Sequence, residues 1–431
     1  MTPSPTHLDS VSAGTAAADL YSQVDREMDT RMGTDLGFGA LLGARPYEMD
    51  EDDVEGFRTR YHRIKTFQEE ALALFRASLR GDCDPEIARM VVADLPEAFG
   101  TEYHKRLSDR HMRTPRFFRT DEVAPGRLTE IQCSGSGWGI VEILRHLYAA
   151  NPELYGTPAH FPTSLAASFS SALRRFLNGE PVVHHLVDNA SRPHGVRYFI
   201  QRTREEGVRY FSYDRDVHPN DCNFVRSHDF VSLLHHNFIA DRMKRCDTGE
   251  VLFDLPPIAL FDCKLITAWP FWSRTRKHFS DKTRELFPHT TVITPEGVEM
   301  PGGTRASLHT FFSIPQRKRT YYIKYGGTDI GINWGSRAVF LASTMSGGQS
   351  ERMLERLAVD WPRGRTWILQ KAVRSKETIA AVTREGTIVE EDAYAKWSGH
   401  YGPDGVMAIA LYHKHYHKVH GSEGTVVSLV Y

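Results

Sequence analysis

One short stretch of the sequence constrains the fold most, because it reads as two strands joined by a tight turn. Residues 117–132 have this pattern, with Pro125-Gly126 at the centre of the turn. Proline presets its own φ and glycine supplies a positive φ, so the pair suits a type II turn. If Ala124 pairs with Arg127, the alternation of strand side chains fixes which residues face each other. The stretch therefore predicts a β-hairpin.

The predicted register places six side chains on one face of this hairpin. Asp121 and Glu130 face each other directly, and like charges in that position destabilise a sheet. A hard divalent cation, Mg²⁺ (or Mn²⁺), would remove the repulsion, since such ions bind carboxylate and amide oxygens. We therefore predict a metal and phosphate site on this face of the hairpin, at the facing carboxylates Asp121 and Glu130; the alternative is a solvated hairpin with a surface Arg–Asp pair. The facing pairs are Val123 with Leu128, Asp121 with Glu130, and Arg119 with Gln132.

The composition is that of an ordinary globular protein and argues against several classes of function. The 431 residues are 41% hydrophobic and 25% charged, enough chain for two or three domains. A net charge of −1 gives no general attraction to nucleic acid or to an acidic membrane. No apolar run approaches the roughly 18 residues of a membrane-spanning helix. The five cysteines include no CxxC pair, so neither a disulfide framework nor a zinc ribbon is indicated.

Most of the first 180 residues are predicted to be helical, apart from a tail and the hairpin. Residues 1–20 lack the pattern of a signal peptide, so we expect a mobile tail over residues 1–45 of a cytoplasmic protein. Helical spacing of apolar side chains predicts a long helix over residues 51–80. Shorter helices are predicted over residues 84–94, 102–111 and 140–150.

The rest of the chain is predicted to be rich in strands. Residues 181–213 read as a strand, a helix and a second strand, which is a β-α-β unit and indicates an α/β region with parallel strands. A short helix is predicted at residues 281–286. Further strands are predicted at residues 256–261, 291–294, 320–324, 365–370, 406–411 and 424–430.

Two glycine-rich segments are suited to binding phosphate groups. Residues 134–139 join the hairpin to a helix start, where free N–H groups attract anions. Lys324 ends a predicted strand before Gly326-Gly327, so its ammonium can reach phosphate oxygens that the loop's N–H groups also approach. The alternative for Lys324 is an exposed lysine before an ordinary turn, and the Walker A motif is absent.

The glycines at 135, 137 and 139 also suggest a dinucleotide site. The Rossmann fingerprint is G-x-G-x-x-G followed by a second strand that ends in an acidic residue. Here the third glycine, Gly139, comes one position early, and residues 151–165 do not read as a strand. The pattern therefore disfavours a nicotinamide-dependent oxidoreductase.

Histidines and a cysteine are the remaining candidates for chemistry. His413, His415 and His417 would share one face of a strand, which superficially suits Zn²⁺. Neighbours at i and i+2 lie about 7 Å apart, so three in a row rarely converge on one ion. For the stretch His413–His420 we favour a partly exposed strand, or polar contacts to a substrate. Cys133 lacks an evident His–Asp arrangement, so a buried thiol is favoured over a nucleophile.

Taken together, the order of these motifs resembles the ATP-grasp ligases of the glutathionylspermidine synthetase type. In that group the metal-binding strands precede the nucleotide-binding lysines, a permuted order for the ATP-grasp fold. Arg119-x-Asp121 matches the R-x-D motif, in which the arginine contacts the transferred phosphate and acts in catalysis, and the aspartate binds Mg²⁺. Glu130-x-Gln132 matches the E-x-N motif, whose side chains are the other metal ligands of the family, with glutamine in place of asparagine.

The resemblance also implies binding residues for nucleotide and substrate. Lys282 resembles the first ATP lysine, with Lys264 as its rival, and Lys324 resembles the second. Ser134 and Ser136 fall where the family binds the substrate that becomes phosphorylated. The remaining implied ATP-binding residues are Arg119, Gly326, Gly327 and the adenine hinge Gln370-Lys371-Ala372-Val373.

The implied fold class is α/β (α+β): an ATP-grasp fold of permuted order with a Rossmann-like β-α-β subdomain and an N-terminal helical region. The ranges are a mobile tail (1–45), a helical region with the metal-binding hairpin and the Gly/Ser loop (46–180), the Rossmann-like subdomain (181–265) and the nucleotide-binding region (266–431).

The implied activity is an ADP-forming ligase that uses ATP and Mg²⁺. It would join a carboxylate, such as that of glutamate, to the amine of a second amino acid through an acylphosphate. The expected partners are amino acids or short peptides, with no nucleic acid and no membrane. The alternatives are a polyamine–peptide ligase and, in another class, a non-catalytic nucleotide-binding or scaffold protein.

Overall fold

The structure is a computed structural model of the chain. It describes residues 41–43, 46–123, 126–133, 137–150, 164–186, 194–212, 220–227, 229–230, 233, 238–329, 332, 338–382, 388–415 and 425–430. Within these ranges the α-helices are α1 (Glu51–Arg80), α2 (Glu86–Val92), α3 (Thr101–Lys105), α4 (Trp138–Ala150), α5 (Leu165–Phe176), α6 (His194–Glu205), α7 (Ile239–Thr248), α8 (Asp281–Arg284), α9 (Leu308–Ser313) and α10 (Gly347–Asp360).

The strands of the described ranges form three sheets of four strands or more and one small hairpin. In chain order they are β1 (Leu41–Leu42), β2 (Phe118–Glu122), β3 (Leu128–Gln132), β4 (Val182–Leu186), β5 (Arg209–Ser212), β6 (Phe224–Ser227), β7 (Leu252–Phe253), β8 (Thr290–Ile293), β9 (Val298–Glu299), β10 (Arg305–Ala306), β11 (Tyr321–Tyr325), β12 (Val339–Leu341), β13 (Trp367–Lys371), β14 (Ser375–Val382), β15 (Ile388–Gly402), β16 (Gly405–Lys414) and β17 (Val426–Leu429).

The large sheet has the strand order β1-β17-β16-β15-β2-β3, and β14 also pairs with β15. The predicted hairpin is therefore the β2–β3 edge of a sheet whose other strands come mainly from the end of the chain. The predicted regions 46–180 and 266–431 share this sheet, and the division into domains stays a prediction.

The two faces of the large sheet pack against different helices. On one face, Phe118, Trp397 and Leu411 lie in the same core as Phe57 and Phe67 of α1. On the other face, strand residues lie in a core with the aromatic side chains of α4 and α5. The strand residues of that second core include Ala408, Ala410, Tyr412, Val427 and Leu429. The helices thus leave the end of the second face near β2 and β3 for polar residues.

The long helix α1 confirms the prediction over residues 51–80, and its two ends explain its limits. Asp50 caps the start by accepting a hydrogen bond from the Asp52 N–H (2.9 Å), and acidic residues follow in the first turn. Gly81 ends the helix with φ 82°, a conformation that favours glycine.

The lysine sheet, with strand order β12-β11-β13-β8, is antiparallel and carries Lys324 on its inner strand β11. The parallel sheet has the order β5-β4-β6-β7. Its β4, α6 and β5 confirm the predicted β-α-β unit, since β4 and β5 are parallel. Whether the unit forms a separate Rossmann-like subdomain stays a prediction.

Two predicted elements are wrong. The stretch 256–261 is not a strand, because Pro256 and Pro257 lack the N–H groups of a ladder; a 3₁₀ turn (Ala259–Asp262) follows them. The helix predicted over residues 102–111 ends at Lys105. The carbonyl of Ser108 instead accepts hydrogen bonds from the N–H groups of His111 and Met112, which form a turn. No helix in the described ranges has the length and apolar character that crossing a membrane requires.

Candidate functional site

The hairpin has the predicted register except next to its turn. Arg119 lies opposite Gln132 and Asp121 lies opposite Glu130, as predicted. Leu128, however, pairs with Glu122 rather than with Val123, because a bulge shifts the register after Asp121. Gly126 has φ 84°, in agreement with the predicted turn. Ala124 and Pro125 lie outside the described residues.

The bulge has a physical cause and a consequence for the site. Glu122 turns to the α1 side of the sheet, where it pairs with Arg60 (3.1 Å) and accepts the N–H of Gly126 (2.8 Å). Thr129 becomes the extra residue of β3, and its hydroxyl donates to the Asp121 carbonyl (2.9 Å). The Thr129 carbonyl accepts a hydrogen bond from the Lys324 ammonium (3.4 Å). The hairpin is thereby joined to the lysine sheet.

Asp121 is the most strongly held carboxylate of the site. Its oxygens accept hydrogen bonds from Arg119 Nε (3.1 Å), Lys396 Nζ (2.8 Å) and Ser398 Oγ (3.0 Å). Burial alone would raise the pKa of the Asp121 carboxyl, but the guanidinium and the ammonium hold that pKa well below its usual range. Asp121 is therefore a permanent anion at neutral pH.

Glu130, opposite Asp121, is held by a separate cation. The ammonium of Lys264 lies 3.1 Å from Glu130 Oε1, and the amide of Gln132 donates to the same oxygen (3.1 Å). Burial raises the pKa of the Glu130 carboxyl, but Lys264 and then Lys324 outweigh burial and the repulsion from Asp121, so the pKa is lowered. The predicted repulsion between the two carboxylates is thus offset by protein cations.

Lys324 reaches the same space from the lysine sheet. Its ammonium donates to the side-chain oxygen of Gln370 (2.6 Å), and the Gln370 amide donates to the Thr290 hydroxyl (3.1 Å). Burial lowers the pKa of Lys324 to about 8, although Glu130 opposes the shift. Gln370, which the resemblance assigns to the adenine hinge, is completely buried and orients Lys324 in this structure.

The cluster formed by these groups carries more positive than negative charge. Its cations are Arg119, Lys264, Lys324 and Lys396, and its anions are Asp121 and Glu130. The buried Asp262 carboxyl also interacts electrostatically with Lys264 and Glu130, but burial and then Asp229 raise its pKa to about 8, so it is largely protonated at neutral pH. The named cations therefore outnumber the ionised carboxylates at neutral pH, and such a cluster is suited to binding a polyanion.

The carboxylates also fit a metal that is bound together with phosphate. Within the described residues there is no group of three or more His, Cys, Asp and Glu side chains that could hold an ion alone. Mg²⁺ in nucleotide sites is typically held by one or two carboxylates, with phosphate oxygens and water completing its shell. Asp121 and Glu130, directly opposite on adjacent strands with Gln132 beside them, match that donor set.

The glycine-rich segment approaches this cluster at Gly137. Gly137 has φ 81°, and a Cβ atom added there would lie 2.8 Å from Nη1 of Arg119. The same atom would lie 3.3 Å from the Tyr412 hydroxyl and 3.7 Å from Cε1 of His400. The backbone at Gly137 thus approaches Arg119 closely. Ser134 and Ser136 lie outside the described residues, so their assignment stays a prediction.

The glycines after Lys324 have a packing role. The N–H of Gly326 donates to the Thr366 carbonyl (2.8 Å), so it is not directed at a phosphate in this conformation. The carbonyl of Gly326 accepts the N–H of Leu265 (3.0 Å), which places Lys264 beside β11. A Cβ atom at Gly327 would clash with Asp94. The pair therefore positions the segment that carries Lys264.

The two candidates for the first ATP lysine lie in different surroundings. Lys264 is nearly buried and pairs with Glu130 at 3.1 Å. Lys282 is exposed on α8, and none of the cluster's contacts in the described residues involves it. The segment after α8 instead supports the hairpin, because the carbonyl of Leu286 accepts the N–H of Leu128 (2.8 Å). The geometry therefore favours Lys264.

The end of the predicted hinge has a mixed environment. Lys371 is exposed at the end of β13, and its N–H donates to the His289 carbonyl (2.8 Å). Val373 is partly buried just beyond the strand. Their assignment to adenine stays a prediction.

The interpretation of the sequence missed the contribution of β15. Lys396, Ser398 and His400 alternate with Trp397, Gly399 and Tyr401, and the first set lies on the face of Asp121. This period of two was a usable signal for a strand with one polar face. No sequence pattern indicated that the strand would lie beside β2.

The remaining candidate residues, His413, Cys133 and Gly139, lie away from the cluster or have packing roles. His413 is completely buried on the face of the large sheet away from the cluster, whereas a partly exposed strand was expected; His417 lies outside the described residues. Cys133 is buried, as expected, and burial raises the pKa of its thiol well above the usual value. A Cβ atom at Gly139 would clash with the Gly195 backbone, so this glycine permits close packing of α4 and α6.

Comparison with known proteins supports the fold. No family model and no curated protein matches the sequence. A similar solved structure is the apo form of a glutathione synthetase-like effector from Globodera pallida, with a TM-score of 0.54 and 13% sequence identity. The match covers 100% of each chain. The chain therefore has a mixed α/β fold similar to that of this glutathione synthetase-like structure, while the ATP-grasp assignment and the permuted order stay predictions.

Proposed function

We propose, from the glutathione synthetase-like fold and the charged cluster, that this chain is an ATP-dependent, ADP-forming carbon–nitrogen ligase. The observation that carries the proposal is the excess of positive charge around Asp121 and Glu130. A triphosphate would add negative charge beside these cations. Oppositely facing carboxylates beside those cations are the arrangement that a phosphate-bound Mg²⁺ needs.

The nucleotide is proposed to lie between the hairpin and the lysine sheet. Lys324 already bridges these parts through its bonds to Thr129 and Gln370. Lys264 and Lys324 hold the phosphates, while Lys371 and Val373 lie where the resemblance implies the adenine. Asp121 and Glu130, with Gln132, would hold Mg²⁺, which would supply charge neutralisation to the phosphates when bound.

The chain's own residues account for the two chemical steps. Arg119 orients the γ-phosphoryl group by charge-assisted hydrogen bonds while a substrate carboxylate oxygen bonds to phosphorus and ADP leaves. The product of that step is an acylphosphate. The amine nitrogen then bonds to the acyl carbon, phosphate leaves with the former carboxylate oxygen, and a proton is released. The buried position of Arg119 and Asp121 keeps water from the acylphosphate.

The proposed substrates are an amino-acid carboxylate, such as that of glutamate, and the amine of a second amino acid. The proposal rests on analogy with ligases of this fold, and a polyamine is the alternative acceptor. A screen for ADP release with pairs of amino acids and polyamines, with mass detection of the amide, identifies the acceptor. ATP binding without ADP release for every pair would favour the non-catalytic alternative.

The metal assignment has its own test. Asp121→Asn and Glu130→Gln are each expected to lower Mg²⁺-dependent ADP release by at least about 100-fold, because the charge that holds the metal is removed. Asp404→Asn, at an exposed carboxylate, is the control and should retain full activity. Circular dichroism and Tm establish that the variants are folded. Full activity in both site variants would contradict the assignment.

A further inference from the structure

His400 is a buried histidine beside the cluster that the proposed mechanism leaves unused. It lies on β15 directly opposite Arg119 of β2 and is completely buried. Among the residues that the structure describes, neither of its ring nitrogens has a hydrogen-bond partner. The indole N–H of Trp138, whose ring lies 5.9 Å from the His400 ring in a T-shaped contact, has none either. Two neighbouring polar groups are thus buried without compensation.

This arrangement is energetically unfavourable without a ligand. A buried polar group that lacks a hydrogen bond destabilises the folded state, whereas a phenylalanine would fill similar space without that cost. Burial, and then the neighbouring Arg119, lower the pKa of His400 to about 3, so its imidazole is neutral and has one N–H donor. A neutral donor here would add no further positive charge to the cluster.

The position of His400 indicates which part of the reaction it serves. Gln132, Arg119 and His400 form one row across three neighbouring strands, at the end of the hairpin that leads into the glycine-rich loop. Asp121 and Ser398 form the next row. His400 and Arg119 both approach the backbone of Gly137. The row therefore lies on the loop side of the metal carboxylates.

We propose that His400 contacts the carboxylate substrate, donating a hydrogen bond to it beside Arg119. The proposal rests on the proposed ligase function and deepens it. A carboxylate accepts hydrogen bonds only, so an arginine and a neutral imidazole are complementary to it. The ligand class is the carboxylate of an amino acid, held where its oxygen meets the phosphoryl group that Arg119 orients.

A second histidine of the same sheet provides a matched control. His413 is also completely buried, its ring nitrogens also lack partners in the described part of the chain, and burial lowers its pKa to about 3. It lies on the opposite face of the sheet, near the ring of Tyr47 (6.4 Å between centroids). Unpartnered nitrogens alone therefore do not identify a ligand site; the position beside Arg119 and Gly137 distinguishes His400.

The experiment compares His400→Phe, His400→Gln and His413→Phe. His400→Phe is expected to raise the KM for the carboxylate substrate about tenfold or more, while the KM for ATP changes less than twofold and Tm does not fall. His400→Gln keeps an N–H donor and should recover part of the loss. His413→Phe should leave both KM values unchanged. A lower Tm with unchanged KM values in His400→Phe would instead show a structural role and overturn the proposal.

A binding measurement separates this proposal from the proposed function. L-Glutamate and L-alanine are titrated by calorimetry into wild type and His400→Phe, without nucleotide. Weaker binding to His400→Phe by about tenfold or more supports the contact even if no pair of substrates releases ADP. Equal binding to both proteins, or no binding to wild type, overturns the contact even if ADP release establishes the ligase.

Discussion

Two buried groups of charges in this molecule differ in one respect, and the difference separates a structural from a functional role. In the first, Arg226 and Asp254 form a matched pair, 3.1 Å between Nε and Oδ2, with both side chains 1% exposed. In the second, the cluster around Asp121 and Glu130, cations outnumber carboxylates. The matched pair balances its own charge, although the guanidinium nitrogens of Arg226 lack hydrogen-bond partners in the described part of the chain, whereas the cluster is proposed to bind an anion.

The surroundings of the two groups agree with this distinction. The Arg226 guanidinium lies over the ring of Trp138 at 4.4 Å, and over Phe169 and Phe199 at 4.8 and 5.3 Å. The cluster instead borders Gly137, the hairpin and the lysine sheet. Aromatic enclosure closes the first group to ligands. Polar neighbours from three elements surround the second.

The largest expected effect tests the matched pair. Arg226→Leu should lower the free energy of unfolding by about 3–5 kcal/mol, because Asp254 is left buried without its cation. Burial raises the pKa of Asp254 to about 7 even with Arg226 present, so the variant should take up a proton there, and its loss of stability should be larger at pH 8 than at pH 6. Urea denaturation at both pH values measures the change.

The double variant Arg226→Leu/Asp254→Leu provides the control for that measurement. It should recover most of the lost stability, because no uncompensated charge remains. Recovered stability with unchanged turnover would confirm that the pair is structural. Loss of activity in this folded double variant would contradict a purely structural role for the pair.

The next effect sharpens the description of the cluster. Lys264→Gln should raise the KM for ATP about tenfold or more, because it removes an ammonium that contacts Glu130 and is proposed to bind the phosphates. Lys282→Gln is the matched control and should change that KM less than twofold, since Lys282 is exposed on α8. The opposite ranking of the two variants would restore Lys282 as the first ATP lysine.

The smallest effect is a pH dependence. Burial lowers the pKa of Lys324 to about 8, so the free enzyme loses this ammonium as the pH rises through 8. The value of kcat/KM for ATP should therefore fall with a limiting slope of about −1 per pH unit above pH 8. Lys324→Arg keeps its charge and should move the fall to higher pH. A flat profile to pH 9.5 in wild type would show that Lys324 does not bind the phosphates as a cation.

Contacts between residues close together along the chain could be predicted from the sequence, whereas contacts between distant residues could not. The pairs Asp121–Glu130 and Arg119–Gln132 are local and follow from strand alternation and one turn. Lys396 lies 275 residues from Asp121 along the chain, and nothing near either residue indicates their contact. The bulge at Thr129 depends on Glu122 reaching Arg60 of α1, which is also a tertiary contact.

The choice between the lysines illustrates the same limit. Lys282 lies in a recognisable helix before a strand, whereas Lys264 lies in a 3₁₀ segment without periodicity. Lys264 reaches the cluster because the N–H of Leu265 bonds to Gly326, a contact between segments about 60 residues apart. Patterns of spacing identify elements, but hydrogen bonds between distant segments select the lysine that faces the carboxylates.

The pairing of β2 with β15 also sets the order in which the site can assemble. During synthesis the hairpin leaves the ribosome long before β15. Until β15 has been made, Asp121 lacks its contacts with Lys396 and Ser398, and one edge of β2 is unpaired. Contacts between residues so far apart in the sequence form late, and they make folding slower. A nascent or truncated chain that ends before β15 would thus carry the complete local motif and still lack the site. The last strands of the chain decide when its first recognisable motif becomes a binding site.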